Sequence, residues 1–214
     1  MARDEVVYLV DDDCGVRQSI GGLLESAGLQ LVSFESAADF LGHVRPCDAA
    51  CLILDLQLPG ISGLELQSKL ADENSPPVIF ISGRSDVPST VKAMKAGAVE
   101  FLVKPISPDV LLASVQGALA KDRLQRKQRD ELARLRSLYS LLSHREREVF
   151  PLIVSGLLNK QSAAVLGIAE VTLQVHRRQI MSKMEAGSLA ELVRMATRLG
   201  IPLTSRDADL QLHR

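Results

Sequence analysis

Leu52-Ile53-Leu54-Asp55-Leu56-Gln57-Leu58-Pro59-Gly60 decides how the rest of the chain is read. A short apolar run of strand length ends in a single carboxylate, and Pro59-Gly60 turns the chain directly afterwards. In a parallel α/β sheet the carboxyl ends of the strands are where ligands and chemistry collect, which places Asp55 at the mouth of a site. Three other segments end in the same manner. Val6-Val7-Tyr8-Leu9-Val10 runs into Asp11-Asp12-Asp13, Val78-Ile79-Phe80-Ile81 into Ser82-Gly83, and Phe101-Leu102-Val103 into Lys104-Pro105. An acid cluster, a lone aspartate, a hydroxyl and a lysine then converge on one edge of one sheet.

The segments between these strands read as helices. Cys14 to about Ala27 carries Val16, Ile20, Leu23, Leu24 and Ala27 on one side, with Gly28 as its stop. A second strand over Gln30 to Phe34 precedes a helix that Ser36 caps and that runs to about Val44. Further helices are expected from Gly63 to about Glu73 and from Val87 to Ala96, the latter stopped by Gly97. Strand and helix alternate five times, which predicts an α/β sheet covered on both faces. Ser107-Pro108-Asp109 starts a further helix, with a capping hydroxyl, a proline in the first turn and an acid near the positive end of the dipole. No Gly or Pro break follows Gly117 until Pro151, so this helix is expected to run on into a linker. Leu124, Leu132, Leu135, Leu138 and Leu142 form only a partial heptad seam there, as a solvated connector would.

The chain of 214 residues carries 46% hydrophobic residues but only 3% aromatics and no Trp, so the expected core is aliphatic. Its apolar runs fall short of a membrane span, and Met1-Ala2-Arg3-Asp4-Glu5 lacks an apolar signal region, so a cytoplasmic protein with no membrane partner is the expectation. The net charge of −1 hides a gradient. Residues 1–120 hold 8 basic and 16 acidic side chains, residues 121–142 hold 7 and 3, and residues 143–214 hold 10 and 7. An acidic front (−8) and a basic rear (+4, then +3) argue for two domains with different partners. Cys14, Cys47 and Cys51 have no metal-type spacing with histidine and read as reduced thiols.

Residues 143–200 read as four short helices: Arg145 to about Ser155, Asn159 to near Leu166, about Glu170 to Met184, and one that starts at Ser188 and stops at Gly200. Ser143-His144-Arg145-Glu146 and Ser188-Leu189-Ala190-Glu191 are both expected to form capping boxes.

The four strand-end motifs, in this order, resemble the receiver domain of two-component response regulators, and residues 5 to about 120 are covered. Leu142-Ser143-His144-Arg145-Glu146-Arg147-Glu148-Val149, Gly156-Leu157-Leu158-Asn159-Lys160, Val171-Thr172-Leu173-Gln174-Val175-His176-Arg177-Arg178 and Lys183-Met184 resemble the LuxR-type helix-turn-helix. The combination resembles the FixJ/NarL family. The stretches Asp86-Val87-Pro88 and Ala93-Met94-Lys95-Ala96-Gly97-Ala98-Val99-Glu100-Phe101 favour the FixJ branch. The resemblance implies a flavodoxin-like (βα)5 receiver over 1–120, a helical linker over 121–142, an all-α four-helix DNA-binding domain over 143–200, and a loose tail over 201–214.

Clustered carboxylates repel, at on the order of 4 kcal/mol for two unit charges 4 Å apart at an effective dielectric of 20. A divalent cation relieves that repulsion, and Mg²⁺ suits few carboxylates plus waters and a phosphoryl oxygen. By resemblance, Asp11, Asp12, Asp55 and the Gln57 backbone carbonyl hold Mg²⁺, with Asp13 a solvated neighbour. Asp55 is implied to be the nucleophile that accepts a phosphoryl group from a sensor histidine kinase, with Lys104 and Ser82 contacting the phosphoryl oxygens. Ser82 and Phe101 are implied to be the switch, and Lys104-Pro105 to be a cis peptide. The altered face would include Val87, Val91, Met94, Lys95 and residues 99–103 and would support a homodimer.

In the implied recognition helix, Leu173, Ile180 and Met184 should pack inward with His176 beside them. Val171, Gln174, Val175, Arg178 and Ser182 lie opposite and could enter a major groove, Gln174 and Arg178 reading bases and Val175 a thymine methyl. Lys160, Thr172, Arg177 and Lys183 complete the expected DNA contacts, the three cations through phosphates. Ala169 stands where a capping Ser is usual, and Ser162 where an apolar residue is usual. The expected function is therefore non-enzymatic: regulation of transcription on promoter DNA, with RNA polymerase as a further partner. Two alternatives stay open: a response regulator whose rear domain acts through a protein partner, and a small Mg²⁺-dependent phosphohydrolase that uses Asp55.

Overall fold

The computed structural model describes residues 5–44, 49–70, 75–83 and 87–202. Expectations for Cys47, Asp86, the end of the third helix near Glu73 and the tail beyond Pro202 lie outside the described residues. The chain forms two compact units, residues 1–127 and 128–214.

The first unit is a parallel sheet of β1 (Val6–Val10), β2 (Gln30–Phe34), β3 (Ala50–Asp55), β4 (Val78–Ser82) and β5 (Glu100–Val103). The strand order is β2-β1-β3-β4-β5. The order reverses between β1 and β3, so the crevice beyond their carboxyl ends is where a doubly wound sheet collects ligands. The connecting helices are α1 (Cys14–Ser26), α2 (Ala37–Gly42), α3 (Gly63–Lys69) and α4 (Val87–Lys95). The continuous apolar runs of β1, β3 and β4 are fully buried, as strands covered on both faces must be.

Alternate residues feed two separate cores. Tyr8, Leu52, Leu54 and Phe80 pack with Phe40, Leu66 and Ala93 on one face. On the other, Val7, Leu9, Ile53, Ile79 and Ile81 pack with Ile20, Leu24, Leu111, Val115 and Leu119. The second core is aliphatic, as composition predicts; the first is not. Tyr8, Phe34 and Phe40 form edge-on and tilted pairs within it, so the few aromatics are concentrated rather than absent. The first helix ends where expected, although Ala27 is exposed rather than on the apolar side, and the second ends slightly early. Ala27 is an exposed C-cap followed by Gly28 at φ 74°, and α2 ends at Gly42 with His43 as its cap, two residues before Val44.

One helix, α5 (Pro108–Ser140), contributes to both units. The second unit continues with α6 (His144–Val154), α7 (Asn159–Val165), α8 (Glu170–Lys183) and α9 (Leu189–Arg198). Its core gathers Val149, Phe150, Ile153, Leu173, Ile180, Met184, Leu192 and Ala196, with Leu138 and Tyr139 from the end of α5 packed against them. The capping box of Ser143 and Glu146 forms as predicted. The predicted box at Ser188 forms only by half: Ser188 caps the Glu191 N–H, but the Glu191 carboxylate accepts from the Gly187 N–H instead. A box unremarked in the sequence, Ser62 with Glu65, starts α3. Among the described residues no helix is long and apolar enough to cross a membrane.

Candidate functional site

The ends of β1, β3, β4 and β5 bring the four motifs together. Asp11 follows β1 and is fully buried; Asp55 ends β3 and is nearly so. Lys104 follows β5, and its Nζ donates to Asp11 Oδ2 at 2.7 Å and to Asp55 Oδ2 at 2.8 Å. The peptide bond between Lys104 and Pro105 is cis, as expected. Asp12 is exposed beside them, and oxygens of Asp11, Asp12 and Asp55 all lie within 4.8 Å of one another. Three hard oxygen donors at that spacing fit a small divalent cation. Burial pushes the Asp11 carboxyl above the usual carboxylate range, against the pull of Lys104 and of the Asp13 N–H. Burial also works against the Lys104 charge, but its bonds to Asp11 and Asp55 outweigh that and raise its pKa.

The backbone orients both carboxylates. The Gln57 N–H donates to Asp55 Oδ1 at 2.9 Å, and the Asp13 N–H to Asp11 Oδ1 at 2.9 Å. Asp13, expected to be only a solvated neighbour, has a structural role: its Oδ1 accepts from the Gly15 and Val16 N–H groups and caps α1. Ser82 is buried at the end of β4, in register with Val103. Phe101 is partly buried, 6.3 Å centroid to centroid from Phe80.

Two positioning residues escaped the sequence reading. Arg17 on α1 donates to the Asp11 carbonyl at 2.7 Å. Gly63 begins α3 against the end of β3, and a Cβ there would lie 2.3 Å from the Asp55 carbonyl oxygen and 3.1 Å from the Phe80 ring. The Ser-Gly-x-Glu pattern over residues 62–65 was the available signal: a capping box whose first helical residue has no side chain.

In the second unit, Leu173 and Ile180 of α8 and its C-cap Met184 are fully buried, and Val171, Thr172, Gln174, Val175, Arg178 and Ser182 are exposed. His176 sits between the two faces with a buried Nδ1 that makes no hydrogen bond. Lys160 is exposed on α7, and Arg177 donates to Asn159 Oδ1 at 3.1 Å. Lys183 is placed differently from the other cations, because its Nζ donates at 2.6 Å to the buried carboxylate of Glu146. Ala169 offers α8 no side-chain cap, and the Ser162 hydroxyl is buried without a hydrogen-bond partner.

A parallel sheet with an acid pocket bridged by lysine, followed by a four-helix unit whose α8 exposes Thr172, Gln174 and Arg178, defines a receiver joined to a helix-turn-helix module. Comparison with known proteins agrees. Residues 7–116 match the response regulator receiver domain, and residues 140–196 match the luxR family of bacterial regulatory proteins. The chain is 47% identical to nodulation protein W of Bradyrhizobium diazoefficiens over 92% of this chain and 87% of that protein. It is 43% identical to the transcriptional regulatory protein FixJ of Azorhizobium caulinodans, over 91% of this chain and 93% of that one. Among solved structures it is similar to the response regulator StyR, with a TM-score of 0.82 and 44% identity over 91% of this chain and 99% of that one. The chain belongs to the two-component response regulators that couple a receiver to a LuxR-type DNA-binding domain, and it regulates transcription in a phosphorylation-dependent manner. A receiver implies a histidine kinase as partner, and a LuxR-type domain implies DNA.

Proposed function

We propose that Asp55 is the phosphoacceptor. One Asp55 carboxylate oxygen attacks the phosphorus of a kinase phosphohistidine; the O–P bond forms as the P–N bond breaks, and the imidazole leaves. The observation that carries this reading is the Lys104 ammonium held between Asp11 and Asp55, 2.7 and 2.8 Å away. A fixed cation at that point neutralises charge on the transferring phosphoryl oxygens without reorganising. Asp11, Asp12, Asp55 and the Gln57 carbonyl would hold Mg²⁺, which when bound screens the same charge. Lys104 and the Gln57 N–H orient the acceptor, and Ser82 supplies a hydroxyl to a phosphoryl oxygen.

Readout runs through Ser82 and Phe101 to the face of α4 and β5. Val87, Val91, Met94 and Val103 are apolar and exposed there, which supports a homodimer formed on phosphorylation. The receiver occupies 1–120, the linker 121–142 and the DNA-binding domain 143–200, with 201–214 as a tail. Gln174, Val175 and Arg178 read bases from the exposed face of α8; Lys160, Thr172 and Arg177 hold the backbone of double-stranded promoter DNA, and RNA polymerase is engaged in turn. The protein works in the cytoplasm and turns over no substrate.

The test is promoter-DNA binding and oligomeric state of the purified protein, with and without Mg²⁺ and acetyl phosphate. Tighter DNA binding with a shift to dimer in the wild type, and neither in Asp55→Asn, is the expected result. Full labelling of Asp55→Asn would place the acceptor elsewhere, and labelling without DNA affinity at any salt concentration would assign the rear domain to a protein partner.

A further inference from the structure

Helix α5 starts beside the acid pocket, just past Lys104 and Pro105, and its first three turns pack Leu111, Val115, Ala118 and Leu119 against the sheet. Fourteen residues at about 1.5 Å each carry it roughly 21 Å, to the opposite edge, where the strands begin. There it carries an acid that packing alone does not require. Asp122 is fully buried, and its Oδ2 accepts from the Ala50 N–H at 2.9 Å and from Arg126 Nε at 2.5 Å. One residue further, Arg123 pairs with Glu5 Oε1 at 2.8 Å, just before β1. Residues 121–142 read in the sequence as a solvated connector, yet the first turn of that stretch is fastened to the bottoms of β1 and β3.

A buried carboxylate is costly unless it is paired and hydrogen-bonded, and a connector that only had to be soluble needs none. Its partner is informative. Ala50 is the first residue of β3, and Asp55, the last residue of the same strand, is the proposed phosphoacceptor. Beyond Arg126 the same helix continues to Ser140 and packs Leu138 and Tyr139 against the core of the DNA-binding unit. Strand β3 thus has the acceptor at one end and the grip on the outgoing helix at the other.

We infer that Asp122, held by Arg126, is a positioning residue that couples the phosphorylation state of Asp55 to the helix entering the DNA-binding unit. The inference rests on the function proposed above. Allostery of this kind is a coupling free energy between two sites, and weakening the grip leaves each site intact while lowering the coupling.

The test uses the full chain and three variants: Asp122→Asn, which keeps an acceptor for the Ala50 N–H but loses the charge that holds Arg126; Arg126→Gln; and Arg126→Lys. Labelling by acetyl phosphate with Mg²⁺ is measured first. The ratio of DNA affinities with and without the label follows, on a fragment selected by the labelled wild type. Asp122→Asn and Arg126→Gln should label to the wild-type extent while the ratio falls by about tenfold, or about 1.4 kcal/mol of coupling. Arg126→Lys, which preserves the charge, should retain most of it. Amide exchange over residues 123–134 should quicken in the first two variants only. Variants that label normally and keep the wild-type ratio overturn the inference, as does a ratio that falls only in proportion to lost labelling. If Asp122→Asn does not fold, Arg126→Gln decides alone. A wild type that labels but gains no DNA affinity refutes the proposed function and this inference together, whereas a wild-type gain that every variant retains refutes the inference alone.

Discussion

Lys183 lies at the end of the recognition helix, where a cation invites assignment to a DNA phosphate. Its geometry argues otherwise. The Nζ is 2.6 Å from a Glu146 oxygen that also accepts the Ser143 N–H at 2.7 Å, so one buried carboxylate caps α6 and anchors α8. Lys183→Met removes the cation and leaves that carboxylate with the N-cap alone. Breaking a fully buried pair costs about 3–5 kcal/mol. The Glu146 side chain is 3% exposed but that of Lys183 is 38%, so water screens part of the pair and about 2 kcal/mol is expected. For a unit of this size that corresponds to a loss of about 10 °C in the melting temperature of the DNA-binding unit. Calorimetry on Lys183→Met, Glu146→Gln and the double variant measures it. The double variant should recover about 1–2 kcal/mol relative to the sum of the singles, because Gln at 146 leaves no buried charge to strand. The salt dependence of DNA binding should keep its slope in Lys183→Met, since each lost phosphate contact would change the slope by about 0.9. A variant that melts like the wild type and loses one unit of slope would falsify the buried-pair assignment and return Lys183 to the phosphate backbone.

The same carboxylate predicts a pH effect: burial opposes the Glu146 charge, but the bonds from Lys183 and Ser143 prevail and hold its pKa below the ordinary 4.5. Its stabilising contribution is therefore complete above pH 4.5 and lost as pH falls through the lower folded value, so Glu146→Gln should flatten the acid limb of a melting-temperature profile below 4.5. Gly63→Ala puts a methyl 2.3 Å from the Asp55 carbonyl oxygen, so it should destabilise the receiver by about 1–3 kcal/mol and slow acetyl-phosphate labelling; wild-type melting and labelling would refute the close packing. Ser162→Ala removes a buried hydroxyl that makes no hydrogen bond and should stabilise the DNA-binding unit by about 1 kcal/mol, read as a higher midpoint in urea.

The receiver was legible because two independent signals fall on the same residues. Runs such as Leu52-Ile53-Leu54 are strands by length and burial, and the polar residue that ends each run meets the others at one edge of the sheet. A parallel sheet brings such ends together whatever the loops between them do, so Lys104 meets Asp11 across 93 residues of chain without any local cue. The inward face of α8 was legible for a similar reason, because helical periodicity separates Leu173, Ile180 and Met184 from Gln174 and Arg178. Polar partners inside each unit obey no period. Asp13 caps α1 rather than standing free in the acid cluster, since both roles use the same residue type and only the φ, ψ of the turn separates them. Lys183 reads as a surface cation until α6 brings Glu146 to it from 37 residues away, and Asp122 reads as one more charge on a connector until β3 presents Ala50 to it from 72. Periodicity reports which face of an element is dry, whereas the partner of a buried charge is set by another element. Residues that act from behind are thus the ones a single sequence conceals: Arg17 behind Asp11, and Gly63 and Asp122 at the two ends of β3.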